Sequence, residues 1–371
     1  MINTDKPINS SCEDKLGRNW FAKHLAKAIM QFDTKDNYAV SLQGKWGCGK
    51  TSVLNMATEE IIRQSKENDN RKKIVIVQFN PWNFTDTNQL INQFFLTLSD
   101  SLQINIKDEK IKNVGHAIEK YSYALKYSEY IPFVGKYLKL LPKLAKTVGK
   151  SLKENAESRQ NNILIRKNEV EKELREFDAR ILVIIDDIDR LTNDQIRLIF
   201  QLVNAVAGFP NITYLLSYDK DIVVRALGDF HHCNGEEYLE KIIQVSFDVP
   251  PVDINKLHAS LFEKLNSLIE IPDNIQFDSE RWSMVFSNCI NPFIRTLRDV
   301  NRYCNSMSFM YSAVKSEVDF IDMAGICALQ VFSVSIFEWI RDNKFTLVGG
   351  YNGSGISLND LEKKAKIFER F

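Results

Sequence analysis

Eight consecutive residues, Gly44-Lys45-Trp46-Gly47-Cys48-Gly49-Lys50-Thr51, satisfy the pattern G-x-x-x-x-G-K-[ST]. Glycines in such a loop let successive backbone N–H groups turn inward, forming a concave anion nest at the positive end of a helix. Lys50 can then reach the outer phosphates of a nucleoside triphosphate, while the Thr51 hydroxyl ligates Mg²⁺. Lys45, Trp46 and Cys48 contribute backbone to the same cradle, and Ser52 can add an α-phosphate contact. The pattern reads as a site for ATP with Mg²⁺, against the bland alternative of a plain strand-to-helix turn.

The second reactive group is Ile181-Leu182-Val183-Ile184-Ile185-Asp186-Asp187-Ile188-Asp189-Arg190. A continuous apolar run is the signature of a strand buried on both faces, and acids at its C-terminal end stand where such sheets bind ligands. Asp186 is positioned to hold Mg²⁺, and Asp187 to polarise the attacking water. Asp189 and Arg190 could position the site or sense its nucleotide state. A third strand, Ile212 to Ser217, presents Ser217 or Asp219 towards the terminal phosphate, or else carries only solvated polar groups.

These residues need elements to hold them. Residues 14–33 space Leu16, Trp20, Leu25 and Ile29 as an amphipathic helix. Tyr38 to Leu42 reads as a strand and Thr51 to Ser65 as a helix, which gives the glycine loop its strand-loop-helix context. Ile74–Phe79 is a strand, Leu90–Leu102 a helix, Arg180–Ile185 a strand and Asp194–Val206 a helix. Alternation of this kind predicts an α/β fold of the P-loop NTPase type, a mostly parallel sheet flanked by helices. Residues 105–178 read as a helical, lysine-rich insertion between the phosphate loop and the acidic strand. From about 255 the strand signals fade, and 255–270, 279–288, 293–308 and 319–342 read as helices of a C-terminal domain. The expected division is 1–104 and 179–254 for the two parts of the core, 105–178 for the insertion and 255–371 for a helical lid.

With these motifs in place, the sequence resembles the KAP family of P-loop NTPases, which are signalling ATPases of the STAND type. The resemblance rests on Leu16-Gly17-Arg18, Phe79-Asn80-Pro81-Trp82, Asp186-Asp187-Ile188-Asp189-Arg190, Tyr238 to Gln244 ahead of Pro250-Pro251, and Thr296-Leu297-Arg298-Asp299, where the family has proline at 297. It implies that Arg298 reaches nucleotide from the helical lid, and that the protein assembles with itself and acts through a partner or effector. It also suggests bacterial defence, in the manner of phage-exclusion ATPases, or signalling.

Residues 120–153 hold eight lysines against the single acid Glu129, with Tyr130, Phe133, Tyr137, Leu141 and Leu144 at helical spacing. Such a stretch could follow a nucleic-acid backbone, lie peripherally on an anionic membrane, or pack on its own core with a solvated lysine face. Trp82, after a strand and a proline, reads as a packing residue. His231-His232-Cys233 reads as a poor metal cluster, because neighbouring ligands on one loop rarely converge.

Composition narrows the classes. Lys plus Arg number 48 and Asp plus Glu number 48, a zero net charge that argues against wholesale coating of nucleic acid. Six scattered cysteines lack metal or disulfide spacing and suit a reducing cytoplasm. Residues 198–218 are uncharged but are split by Gly208-Phe209-Pro210-Asn211, and 323–337 read as a buried core helix, so no transmembrane span is expected. The sequence stops in an uncapped helical stretch, an expectation that the natural chain continues. Without a guanine-reading Lys-Asp motif ATP is favoured over GTP. Three functions stay open: an ATP-hydrolysing switch, a nucleic-acid loader or remodeller, and a scaffold that binds nucleotide without turnover.

Overall fold

The computed structural model describes residues 5–31, 36–67, 73–84, 87–104, 109–126, 150–177, 179–231, 234–268 and 277–347. They fall into two compact units, Pro7–Pro251 and a second made of Val252–Phe371 with Met1–Lys6.

The first unit is built on five parallel strands: β1 (Tyr38–Gln43), β2 (Lys73–Phe79), β3 (Ala179–Ile185), β4 (Ile212–Tyr218) and β5 (Val245–Asp248). Their order across the sheet is β2-β3-β4-β1-β5. Every residue of β3 is buried, which is why its sequence is apolar on both faces rather than alternating. Its odd-numbered residues Ile181, Val183 and Ile185 enter one core with helices α3 (Thr87–Ile104), α4 (Glu109–Lys126), α5 (Lys150–Arg175) and α6 (Asn193–Gln201). Its even-numbered Leu182 and Ile184 enter a second core with α1 (Asn19–Gln31) and α2 (Lys50–Glu67). Period-2 alternation thus turns the next even residue, Asp186, to the face carrying α2.

The helices of the insertion, α4 and α5, pack on one another, and α4 also packs on α3 of the core. Tyr121 of α4 makes edge-on contacts with Phe95 of α3 and with Phe209, ring centres 5.3 and 5.7 Å apart. Residues 127–149, most of the lysine-rich stretch, lie outside the described residues. Asn211, at φ 60, makes the turn into β4, so the uncharged run 198–218 is divided between helix and strand. No described helix is long and apolar enough to cross a membrane.

Several element boundaries differ from the sequence reading. Strand β5 was not anticipated; it is short, and its alternating half-exposed pattern fits an edge position. Helices α7 (Lys220–His231) and α8 (Gly235–Glu240) fill the chain between β4 and β5. In the second unit, α9 is Ile254–Asn266, and α10 (Ser279–Val285) passes into a π-turn at Phe286–Ile290. The helix expected from 293 starts at Leu297 as α11 (Leu297–Val314). There Thr296 and Asp299 exchange hydrogen bonds in a capping box that ends the preceding loop. The stretch 319–342 is two helices, α12 (Phe320–Phe332) and α13 (Val334–Asp342), because Ser333 leaves the helical region at φ −138, ψ 66.

Candidate functional site

The glycine loop leaves the end of β1, where the Gly44 N–H donates to the Tyr218 carbonyl at 3.2 Å. It turns on a Cys48 N–H to Lys45 carbonyl bond of 3.1 Å and joins α2 where Val53 N–H meets the Gly49 carbonyl. Gly47 and Gly49 have φ of 82 and 92, a left-handed backbone that side chains rarely tolerate, so both glycines are required by the turn. At Gly44 a Cβ would stand 2.5 Å from the Cys48 sulfur.

Arg18 fastens this loop from below. Its Nη1 donates to the Cys48 carbonyl, and its Nη2 donates to the Pro250 carbonyl at 2.6 Å, so one guanidinium ties the loop to the chain leaving β5. The side chain is buried, and burial lowers its pKa from the usual arginine value. Sequence reasoning noted Arg18 only as part of a motif; the partners lie 30 and 232 residues away, and nothing local signals them.

Around the start of α2 the reactive residues converge. Lys50, the first residue of α2, is buried; its Nζ donates to Asp189 Oδ2 at 3.1 Å and to the Gly44 carbonyl at 2.9 Å. The Thr51 hydroxyl donates to Asp186 Oδ2 at 2.7 Å. Asp186 Oδ1 accepts the Asp187 N–H at 2.8 Å. Asp187 itself sits at φ 58, ψ 32, a conformation uncommon for a non-glycine residue. Its carboxyl is raised above the ordinary aspartate range, first by burial and then by the neighbouring Asp186 charge. Asp189 Oδ1 is buried with no hydrogen-bond partner, an oxygen left over on a carboxylate otherwise engaged by Lys50.

Other expected residues take different places. Lys45 is exposed and pairs with Asp221, with Asp219 at 3.9 Å, so its ammonium turns towards the start of α7. The Ser52 hydroxyl accepts the Ile8 N–H at 3.3 Å. Asp219 is occupied as a cap, accepting the Asp221 N–H at 3.1 Å, whereas Ser217 is fully buried with an unpartnered hydroxyl. Arg298 belongs to the second unit, at the start of α11, where its Nε donates to Asp5 at 3.3 Å. Trp82 does not pack inside as expected: its indole is 54% exposed, and so is Trp46 at 56%, both facing the Arg190 guanidinium. The Asn80 side chain accepts the Trp82 backbone N–H and caps the short turn Pro81–Asn83. Residues 232 and 233 lie outside the described residues, and no cluster of metal-ligating side chains occurs among the described ones.

Hard oxygen donors are what Mg²⁺ selects, usually one or two protein groups with phosphate and water completing the shell. The Thr51 hydroxyl and Asp186 carboxylate, already within 2.7 Å of each other, fit that chemistry. The left-handed glycines and the helix start fit a phosphate chain.

The model of the "KAP family P-loop domain" matches residues 18–314. The Phage T7 exclusion protein of Escherichia coli (strain K12) is 24% identical over 355 residues, covering 90% of this chain and 47% of that protein. The chain therefore spans about half the length of the curated relative it matches. Among solved structures, the Aeropyrum pernix ORC2 protein in its ADP form superposes with a TM-score of 0.41 at 14% identity, covering 94% of this chain and 78% of that one. Drosophila ORC bound to DNA gives 0.44 at 12% identity, covering 92% and 72%.

Proposed function

The chain belongs to the KAP family of P-loop NTPases, and on that basis we propose that it is a Mg²⁺-dependent, ATP-binding and ATP-hydrolysing switch. The observation that carries the proposal is the meeting of Lys50 and Thr51, at the start of α2, with Asp189 and Asp186, at the end of β3, over 3.1 and 2.7 Å.

In this reading the loop amides from Gly44 to Thr51 cradle the phosphates, and Lys50 exchanges its present partners, Asp189 and the Gly44 carbonyl, for phosphate oxygens. Thr51 and Asp186 would hold Mg²⁺, which when bound neutralises charge on the phosphates. Asp187 orients and polarises the attacking water. Phosphoryl transfer asks little covalent chemistry of the protein, so catalysis is positioning plus charge stabilisation. Arg298, carried on the second unit, would report the nucleotide state by reaching it from a helical lid. Self-association, a partner or effector, and a role in phage exclusion or signalling belong to the same proposal; the name of the E. coli relative supports the last.

A calorimetric titration of ATP tests the binding half of this reading. The expected result is saturable binding with Mg²⁺ that weakens at least tenfold in EDTA or in Thr51→Ala, a loss of about 1.4 kcal/mol. Binding indifferent to both would contradict it. A second reading, a nucleic-acid-associated loader or remodeller, is favoured by the eight lysines of 120–153. It requires turnover stimulated by DNA or RNA and lost steeply with salt.

A further inference from the structure

Arg190 stands where three sequence motifs meet. Its Nε lies 2.9 Å from Asp187 Oδ1, and its guanidinium carbon lies 5.7 Å from the ring centre of Trp46 and 6.0 Å from that of Trp82. Trp46 belongs to the glycine loop, Trp82 to the short turn Pro81–Asn83 after β2, and Arg190 to the turn Ile188–Arg190 after β3. Both indoles are more than half exposed, so burying apolar surface is not what keeps them there. They offer π faces to one cation instead, and a planar guanidinium held against aromatic faces has its donors fixed in direction. Asp187 needs such a holder: its backbone is left-handed, and its side chain does not cap the turn that follows.

We propose that Trp46 and Trp82 clamp Arg190 so that it aims the Asp187 carboxylate, which makes Trp82 and Arg190 positioning residues for hydrolysis at the candidate site. The inference rests on the hydrolytic reading above and adds to it a residue outside both nucleotide motifs. The clamp also links the glycine loop to the water-orienting acid, so a shift of Trp46 on nucleotide binding is felt at Asp187.

The test uses the whole chain as wild type, Trp82→Ala, Trp82→Phe, Arg190→Ala and the Trp82→Ala/Arg190→Ala double variant. It measures kcat and KM for phosphate release, the Kd for Mg²⁺-ATP, and thermal melts. Trp82→Ala should lower kcat about tenfold while KM and Kd stay within about twofold, since misplacing a catalytic group costs rate rather than affinity. Trp82→Phe should recover most of the rate, and the double variant should be no slower than Arg190→Ala alone, the mark of residues acting as one unit. If Trp82→Ala melts early, Arg190→Lys carries the test: lysine keeps the charge without the planar group, and kcat should still fall about fivefold or more. An unchanged kcat, a parallel rise in KM and Kd, or independent multiplying effects would overturn the clamp. A wild type that turns over beside a Trp82→Ala variant of equal kcat ends this proposal alone. A wild type that binds nucleotide and releases no phosphate ends both it and the hydrolytic reading.

Discussion

Lys50 and Asp189 form an ion pair in which each side chain is less than a tenth exposed, and the second Asp189 oxygen has no partner. Breaking a buried pair by neutralising one member typically costs about 3–5 kcal/mol, because the other charge is left uncompensated. Asp189→Asn should therefore lower the melting temperature of the nucleotide-free protein, and Mg²⁺-ATP should restore more stability to it than to wild type by giving Lys50 a new anion. Melts with and without nucleotide check this; an equal deficit in both states would contradict it. Asp187 gives a pH signature of definite sign. Burial and then Asp186 raise its pKa, Asp189 adds to this, and Arg190 and Lys50 pull it down. An acid whose pKa is raised on folding supports stability below its unfolded pKa, and that support disappears as pH rises through the folded value. Activity runs the other way, since the ionised carboxylate is the form that orients water. The kcat profile should fall in acid through an apparent pKa above an ordinary aspartate's, and Arg190→Ala should move that limb to higher pH. At this scale the two motifs marked out Lys50, Thr51 and Asp186 as candidates, and the structure brings Thr51 to Asp186 at 2.7 Å with Lys50 beside it on α2. The partnerships of Arg18 with Cys48 and of Asp189 with Lys50 were not legible, since they join residues 30 and 139 positions apart. Trp82 was misread because the group its ring faces, the Arg190 guanidinium, lies on a turn that no local pattern joins to it.

Elements show the same division. The apolar run of β3 and the strand-loop-helix at the glycine loop were readable, since burial on both faces and left-handed turns leave direct marks on residue type. β5 left none: four residues, Val245–Asp248, half exposed at the edge beside β1, are held by their neighbour rather than by their own pattern. The break at Ser333 and the late start of α11 at the Thr296 capping box were likewise hidden, because 3.6-residue periodicity continues across both. One packing constraint predicts sharply. A Cβ on Gly235, the first residue of α8, would lie 2.1 Å from the Val224 backbone carbonyl of α7 and 2.9 Å from the Gly228 nitrogen. Backbone cannot retreat as a flexible side chain can, so Gly235→Ala should destabilise the chain by about 1–3 kcal/mol, the usual cost of overpacking. Chemical denaturation measures it, and an unchanged midpoint would contradict the close approach of the two helices.

For the molecule as a whole, alternating strand and helix signals made the parallel α/β sheet legible, while the strand order β2-β3-β4-β1-β5 follows from pairings no local pattern encodes. The loss of strand signals after residue 255 likewise matches the helices described between Ile254 and Leu347. The chain spans about half the length of the E. coli relative it matches. The central claim concerns one site turning over one nucleotide. Its most direct test is steady-state phosphate release from ATP by the whole chain and by Lys50→Ala, with Mg²⁺ or EDTA, and with or without DNA at two salt concentrations. The account predicts Mg²⁺-dependent release that Lys50→Ala lowers at least about a hundredfold, in line with losing a charge-stabilising group, and that DNA leaves unchanged. Release that survives Lys50→Ala, or tight nucleotide binding with no release under any condition, would contradict it.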